Sequence, residues 1–366
     1  MKNQTTKNWI YRLDDKKHPI NHQLLTGGKK ILNTLYKYTP QYTTGEDVSY
    51  LPSSYSQYSD YMGRSNYQHH NVQSFARWQE DNYDWVCKDF VGQDQIERPN
   101  GFICCTDCSG FVTSLFGYCN QVGKVPTAFG TTQTRLNYTK EQVESNHIVQ
   151  WELEALKKAN DKVPDLDNTF PVTLQYGWKP AQVIPVASSF YEMIAKEEGF
   201  KCIKDPKDML PGDIITYNLL SNKNPNNDNV QGIPDDTGHI MLIVALRKIS
   251  NQALSAIYGK EITGETSVYE IIVLDESKNQ HTNDTRKLVA PDPLPENEKH
   301  YQGLGMGIAT VGLFKKDDTE SSGYIPYEAG GAGEGKLVFF FEDILYGGKD
   351  SQSHPPDVPV MIGRGI

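Results

Sequence analysis

Long apolar runs and clusters of basic residues are both missing from this 366-residue sequence. No stretch approaches the roughly 18 consecutive apolar residues that a transmembrane helix needs. The 36 Lys and Arg residues are outnumbered by 46 Asp and Glu residues, which gives a formal net charge of −10 at pH 7. A nucleic-acid-binding surface needs clustered positive charge. We therefore expect no membrane span and no nucleic-acid partner.

The first residues, MKNQTTKNWIYRLDDKKHP, lack the apolar core of a secretory signal peptide. Three explanations remain open from the sequence alone. The protein is cytoplasmic, or it is exported by a route that uses no such leader, or a leader has been lost.

Cysteine is also sparse, with six residues in the chain. That density is low for a disulfide framework in a chain of this size. Four of the six lie close together, at positions 104, 105, 108 and 119. Such clustering favours a chemical role over a set of distributed crosslinks.

The sequence pattern is mostly helical before about residue 210 and mostly strand-like after it. This order predicts an α+β fold, with helices packed on an antiparallel sheet. Residues 1–70 are polar and rich in tyrosine, and we interpret them as a lead-in that wraps the main domain. That domain is predicted to span residues 71–346 and to contain a helical insertion at about 120–200. Residues 347–366 hold several prolines and are predicted to be an irregular tail. Apolar β-rich runs are predicted at Ile214–Leu220, His239–Leu246, Tyr269–Leu274 and Leu337–Phe341.

Two helices are predicted within the 120–200 segment. Thr139 and Gln142 form a possible capping box that opens a helix ending near Pro164. A second helix is predicted from Ser188 to Glu198, with Gly199 as its stop signal.

Cys108 is predicted to lie in the first turn of a buried helix, with Asp107 as the N-cap. Apolar residues at positions 111, 112, 115, 116 and 119 follow one face of a 3.6-residue period. The positive end of a helix dipole favours a thiolate, which is the nucleophilic form of cysteine. A buried core cysteine is the ordinary alternative, but the polar residues on both sides of Cys108 favour a nucleophile. Gly110 keeps the first turn slim enough for a substrate to approach.

A cysteine nucleophile needs an imidazole within hydrogen-bond reach, oriented by a third polar group. Of the nine histidines, His239 is the outstanding candidate because it follows a turn and opens a very apolar run. A solvated turn histidine is the alternative. The next β-run ends at Asp275, which would lie beside His239 if the two strands are antiparallel neighbours. His281 is the rival for this orienting role, and Asp275 could instead belong to a turn.

Three strings, in this order, resemble the NlpC-type cysteine endopeptidases, which are papain-like cell-wall amidases. DCSGFVTSLF at 107–116 resembles the nucleophile helix of the family. LPGDII at 210–215 resembles the proline-glycine-aspartate approach to the first core strand. TGHI at 237–240 resembles the start of the strand that carries the base. The resemblance covers roughly residues 80–125 and 205–280.

The resemblance implies a papain-like core and a hydrolase that cleaves an amide bond through a cysteine thioester. Cys108 would be the nucleophile, His239 the base and Asp275 the third member, without a metal or cofactor. The implied substrate is a peptidoglycan stem peptide, cut between an acidic D-residue and a diamino acid, so the implied location is secreted or periplasmic. The expected substrate-binding residues are Tyr83, Ser109 and Gly238.

The chain departs from the family pattern in three places. The family commonly has histidine where this chain has Asp275. The nucleophile and the base are usually much closer in sequence than the 131 residues between Cys108 and His239, which implies that 120–200 is an insertion beside the cleft. Tyr83 also lies farther upstream than the family's tyrosine.

The sequence leaves other functions open. An effector that acts on a host protein, as a protease, deamidase or transglutaminase, would share the Cys, His, Asp order. Cys105 and Cys108 form a C-x-x-C pair typical of thiol redox proteins, although no βαβ pattern surrounds them. A zinc site would need a second pair of ligands at suitable spacing. A non-enzymatic binding protein with a vestigial triad is the last alternative.

Overall fold

The fold is described here from a computed structural model of the chain. The residues that it describes are 9–11, 13–37, 108–121, 123–146, 148–150, 152–153, 170–178, 182–183, 185–218, 238–277, 281–282, 288–289, 300–301, 303–317, 323–331, 333–340, 344–347 and 360–366.

Within these residues, six helices and twelve strands have defined bounds, and residues 148–150 and 152–153 are also helical. The helices are α1 (Pro19–Lys37), α2 (Cys108–Gln121), α3 (Lys140–Ser145), α4 (Ala187–Ala195), α5 (Asn251–Tyr258) and α6 (Ile344–Gly347). The first six strands are β1 (Arg135–Tyr138), β2 (Val172–Gln175), β3 (Phe200–Cys202), β4 (Ile214–Asn218), β5 (Gly238–Lys248) and β6 (Val268–Ser277). The others are β7 (Leu288–Val289), β8 (His300–Tyr301), β9 (Gly303–Lys316), β10 (Tyr324–Pro326), β11 (Lys336–Phe340) and β12 (Val360–Gly365).

Eight strands form one antiparallel sheet in the order β10-β9-β6-β5-β4-β12-β3, with β11 also paired to β9. The sheet curls, so that β11 approaches β12 and β9 approaches the 3₁₀ turn at Pro206–Asp208. The α+β class predicted from the sequence is therefore compatible with the observed mixture of helices and a curled antiparallel sheet.

The curled sheet separates two apolar cores. Helices α1, α2 and α4 cover its outer face, where Ile240, Leu242 and Leu274 are buried; we call this the helix-side core. The other face buries Met241 and Val273 inside the curl; we call this the inner core. Successive residues of β5 enter opposite cores because strand side chains alternate, which explains why the strand is apolar along most of its length.

Helix α1 was not predicted, and it packs directly on α2 and the sheet. Two adjacent glycines permit this close approach. A Cβ atom on Gly27 would lie 2.9 Å from the Tyr118 ring, and one on Gly28 would lie 2.8 Å from Leu274. Part of the predicted lead-in at 1–70 thus contributes to the helix-side core through Leu24.

The predicted helical insertion at 120–200 contains a two-stranded antiparallel sheet, β1 with β2, besides its helices. The capping box of Thr139 and Gln142 is confirmed, but the predicted helix is interrupted: α3 ends at Ser145, and helical residues follow at 148–150 and 152–153. Asn146 has an extended backbone, which ends α3. Its side-chain oxygen accepts hydrogen bonds from the backbone N–H groups of Ile148 and Val149, at 3.1 and 3.3 Å, and so caps the helical residues that follow. The second predicted helix is confirmed as α4, but it ends at Ala195, three residues before the predicted Glu198.

The prediction of an irregular tail at 347–366 is wrong for its last part. Residues Val360–Gly365 form β12, which lies between β4 and β3 inside the sheet. Proline is tolerated at the beginning of a strand, and the prolines of this segment all precede Val360. The apolar residues that follow them complete the sheet.

No described helix combines the length and the apolar character that crossing a membrane requires.

Candidate active site

Cys108 is the first residue of α2, as the sequence predicted. Its side chain is half-buried and packs against the helix-side core. Asp107, the predicted N-cap, lies outside the described residues. Backbone N–H groups of a first helical turn point toward the N-terminus without partners in the helix, so the thiol of Cys108 lies at the positive end of the α2 dipole.

The other two described cysteines are poor nucleophiles. Burial raises the pKa of the Cys119 thiol to about 12. Burial also raises the pKa of Cys202, and Glu197 adds to the effect. Neither would be a thiolate near neutral pH, which leaves Cys108 as the best-placed thiol among the described residues.

His239 is the second residue of β5 and is 8% exposed. It lies opposite Tyr217 of β4, and the centres of the two rings are 6.0 Å apart. Gly238 precedes it with a φ of +117°. A Cβ atom on Gly238 would lie 2.0 Å from the carbonyl oxygen of Tyr217, so glycine is required for the strand to begin in this position.

Asp275, near the end of β6, lies beside His239 as the sequence predicted. Its Oδ2 atom is 2.6 Å from Nε2 of His239. The same oxygen is 3.2 Å from Nε2 of His281. Asp275 is fully buried, and His281 is only 2% exposed. The two candidates for the orienting role therefore occupy one cluster, in which Asp275 is the residue that contacts His239.

The cluster lies at the rim of the curled sheet, where β5 begins and β6 ends. His239 shares its face with Tyr217 and Met241, and Asp275 shares its face with Val273, which are all inner-core residues. Cys108 instead belongs to the helix-side core. Helix α2 packs on both β5 and β6.

The expected substrate-binding residues differ in their positions. Ser109 is 2% exposed inside the first turn of α2, so its side chain does not offer a surface to a substrate. Gly238 lies at the rim directly beside His239. Tyr83 lies outside the described residues.

The proline-glycine-aspartate string has a structural role in this chain. The carboxylate of Asp213 is fully buried and accepts two hydrogen bonds from Arg364 of β12, each 2.8 Å long. It also accepts a 2.7 Å bond from Asn21 of α1 and a 2.8 Å bond from the backbone of Leu210. The string thereby connects the first core strand to the N-terminal helix and to β12.

A second buried carboxyl group lies in the insertion, away from the rim. Glu152 accepts hydrogen bonds from Tyr176, at 2.7 Å, and from Ser189, at 2.6 Å. Tyr176 is in turn 3.1 Å from the hydroxyl of Tyr138. Burial raises the pKa of Glu152 to about 8, although its two hydroxyl partners oppose that shift. This network connects helix α4 to the small β1–β2 sheet.

The described residues contain no group of three or more His, Cys, Asp or Glu side chains arranged to hold a metal ion. Comparison of the chain with protein-family models, with curated proteins and with solved structures finds no match.

Proposed function

We propose that this protein is a cysteine hydrolase that cleaves an amide bond through a thioester on Cys108. The observation that carries the proposal is the 2.6 Å contact between Nε2 of His239 and Oδ2 of Asp275, within a buried site at the rim of the sheet. An imidazole held by a buried carboxylate is the arrangement that general-base catalysis uses. The position of Cys108 at a helix N-terminus supplies the accompanying nucleophile.

The proposed reaction begins with transfer of the Cys108 proton to His239. Because Asp275 contacts Nε2, we assign this transfer to Nδ1. The thiolate then attacks the substrate carbonyl, and the backbone N–H groups at the start of α2 stabilise the oxyanion. His239 returns the proton to the leaving amine, which breaks the amide bond and leaves a thioester. Water, deprotonated by His239, hydrolyses the thioester and restores the thiol.

The proposed substrate is a peptidoglycan stem peptide, cut between an acidic D-residue and a diamino acid, and the proposed location is secreted or periplasmic. The resemblance of the three strings at 107–116, 210–215 and 237–240 to NlpC-type endopeptidases supports this choice. The second string also has a structural role in this core, because its fully buried Asp213 binds Asn21 and Arg364. A papain-like topology is part of the same proposal.

Purified muropeptides test the proposal directly. The wild type and the Cys108→Ala variant are incubated with them, and the products are identified by mass spectrometry. Cys202→Ala is the matched control, because it removes a thiol outside the proposed site. We expect cleavage by the wild type and the control only. If neither protein cleaves, the cell-wall substrate is wrong, and if Cys108→Ala still cleaves, the mechanism is wrong.

The pairing of Cys108 with His239 has a separate test that needs no substrate. Iodoacetamide alkylates thiolates, so its rate at Cys108 reports how much thiolate is present. We expect His239→Ala to slow alkylation of Cys108 at pH 7 by roughly tenfold or more, since a one-unit change in thiol pKa corresponds to a tenfold change in equilibrium. An unchanged rate would show that His239 does not act on Cys108.

A further inference from the structure

Two imidazole rings from different parts of the chain contact Oδ2 of Asp275. Nε2 of His239 is 2.6 Å away and Nε2 of His281 is 3.2 Å away. The side chains of Asp275 and His281 are completely buried, whereas that of His239 is 10% exposed. His239 is thus the imidazole on the solvent side of the carboxylate, and His281 is the one behind it.

Thr282, the residue after His281, is paired to the side of β9 that faces away from β6. Ile308 of β9 pairs with Ile272 of β6 on one side. On its other side the backbone of Ile308 exchanges two hydrogen bonds with Thr282, 2.8 and 3.2 Å long. The residue next to His281 therefore lies beyond β9, whereas the His281 ring contacts Asp275 of β6.

Two glycines of β9 lie next to Asp275 and Val273 in the sheet. Gly305 lies directly opposite Asp275 in the ladder, and Gly307 lies opposite Val273. Residues directly opposite each other in an antiparallel ladder project from the same face. Neither position therefore places a side chain beside Asp275 or Val273 on that face.

We propose that His281 is a positioning residue of the active site. Its Nε2–H donates to Asp275 and holds the carboxylate in the rotamer that meets His239. The inference rests on the function proposed above. The torsion about the terminal bond of an aspartate is broad, and a further donor to Oδ2 narrows the range over which the carboxylate turns. Complete burial keeps the His281 ring away from a substrate, so it acts through Asp275.

The test compares two substitutions at one position. His281→Gln retains an N–H donor that can reach Asp275, whereas His281→Leu does not. His18→Leu, a half-buried histidine just before α1, is the control for the same loss of an imidazole elsewhere. Circular dichroism and an unfolding midpoint establish that each variant is folded. The readouts are the rate of Cys108 alkylation and the imidazole ¹H and ¹⁵N resonances of His239.

We expect His281→Leu to slow Cys108 alkylation by roughly tenfold, the low end for loss of a hydrogen bond to a charged group, and to shift the His239 resonances. His281→Gln and His18→Leu should stay within about threefold of the wild type, since neither loses the donor to Asp275. In an Asp275→Ala background, His281→Leu should have no further effect, because a residue that acts through Asp275 has nothing left to position. Equal losses in the Gln and Leu variants, or additive losses in the double variant, would overturn the proposal.

The resonances separate this proposal from the function on which it rests. They depend on the His239–Asp275–His281 contacts and not on Cys108 or a substrate. If muropeptides are not cleaved and the His239→Ala substitution leaves the Cys108 alkylation rate unchanged, the hydrolase proposal fails. A shift of the His239 signals in His281→Leu would still support the positioning role. If those signals are unchanged in His281→Leu, the positioning role fails even for an active enzyme.

Discussion

The guanidinium of Arg364, two residues from the end of the chain, binds both carboxylate oxygens of Asp213 at 2.8 Å. Asp213 is fully buried, and burial raises the pKa of its carboxyl group, while the hydrogen bonds from Arg364 and Asn21 oppose that shift. The contact joins β12 to the start of β4, which is the strand next to the one that carries His239. A residue of the C-terminal strand therefore holds the start of β4, at the end opposite the Tyr217–His239 pair.

Removal of Arg364 should be costly because it leaves a buried carboxylate without its cation. We expect Arg364→Leu to lower the free energy of unfolding by about 3 kcal/mol, the magnitude typical of a broken buried ion pair. The variant's deficit should shrink in acid, where Asp213 can take up a proton in the folded state. Urea denaturation at several pH values measures both effects. The double variant Asp213→Asn with Arg364→Leu should lose less than Arg364→Leu alone, and an equal loss would contradict the ion-pair explanation.

Gly238 should tolerate no side chain, since its Cβ would lie 2.0 Å from the carbonyl oxygen of Tyr217 and its φ is +117°. We expect Gly238→Ala to lower stability by more than the roughly 1–2 kcal/mol that a left-handed alanine costs, and to displace His239. Gly259→Ala is the matched control: that glycine also has a positive φ, of +64°, but nothing lies within 4 Å of its Cβ position. Thermal unfolding and Cys108 alkylation should both be affected at Gly238, whereas Gly259→Ala should affect stability only. Equal effects of the two substitutions on alkylation would show that the clash does not reach His239.

Asp275 should matter through both its acceptor oxygen and its charge. Asn at this position keeps an oxygen that can accept from Nε2 of His239, whereas Ala removes the acceptor. A hydrogen bond to a charged group contributes about 1.5–3 kcal/mol, so we expect hydrolysis and Cys108 alkylation to fall roughly 10- to 100-fold in Asp275→Ala. Asp275→Asn should lie between Asp275→Ala and the wild type. Identical rates for the two variants would mean that the contact with His239 contributes nothing beyond the charge.

The local features of the site could be predicted from the sequence because they depend on neighbouring residues. A polar lead followed by the apolar period of 111–119 is sufficient to specify the helix that begins at Cys108. The apolar runs that begin at Ile214 and follow His239 specify strands β4 and β5 in the same way. Asp275 could be placed beside His239 because consecutive strands often pair.

Features that depend on distant contacts escaped prediction. Strand β12 is specified by its pairing with β4 and β3. The prolines just before it predict an irregular segment instead. Strand β9 is rich in glycine, which weakens a strand signal. The assignment of His239 to the inner core and Cys108 to the helix-side core depends on the curl of the sheet, which no single segment encodes.

Glu152 should make the folded protein less stable as the pH rises toward neutrality. Its pKa is raised to about 8 by burial, while an unfolded glutamate titrates near 4.3. Between these values the unfolded chain releases a proton that the folded chain keeps, so the free energy of unfolding falls as the pH rises, by up to about 1.4 kcal/mol per pH unit. Below the pKa of the unfolded glutamate both states hold the proton, and the contribution of Glu152 to the free energy of unfolding is then fully favourable.

The Glu152→Gln variant tests this sign because an amide resembles the protonated acid and can still bond to Tyr176 and Ser189. We expect its stability to exceed that of the wild type by an amount that grows from pH 5 to pH 8, measured by urea denaturation in matched buffers. Glu141→Gln, the same change on an exposed side chain of α3, should run parallel to the wild type. If the Glu152→Gln curve also runs parallel, the carboxyl group is already ionised across this range, and the Tyr176 and Ser189 hydroxyls stabilise its charge rather than its proton.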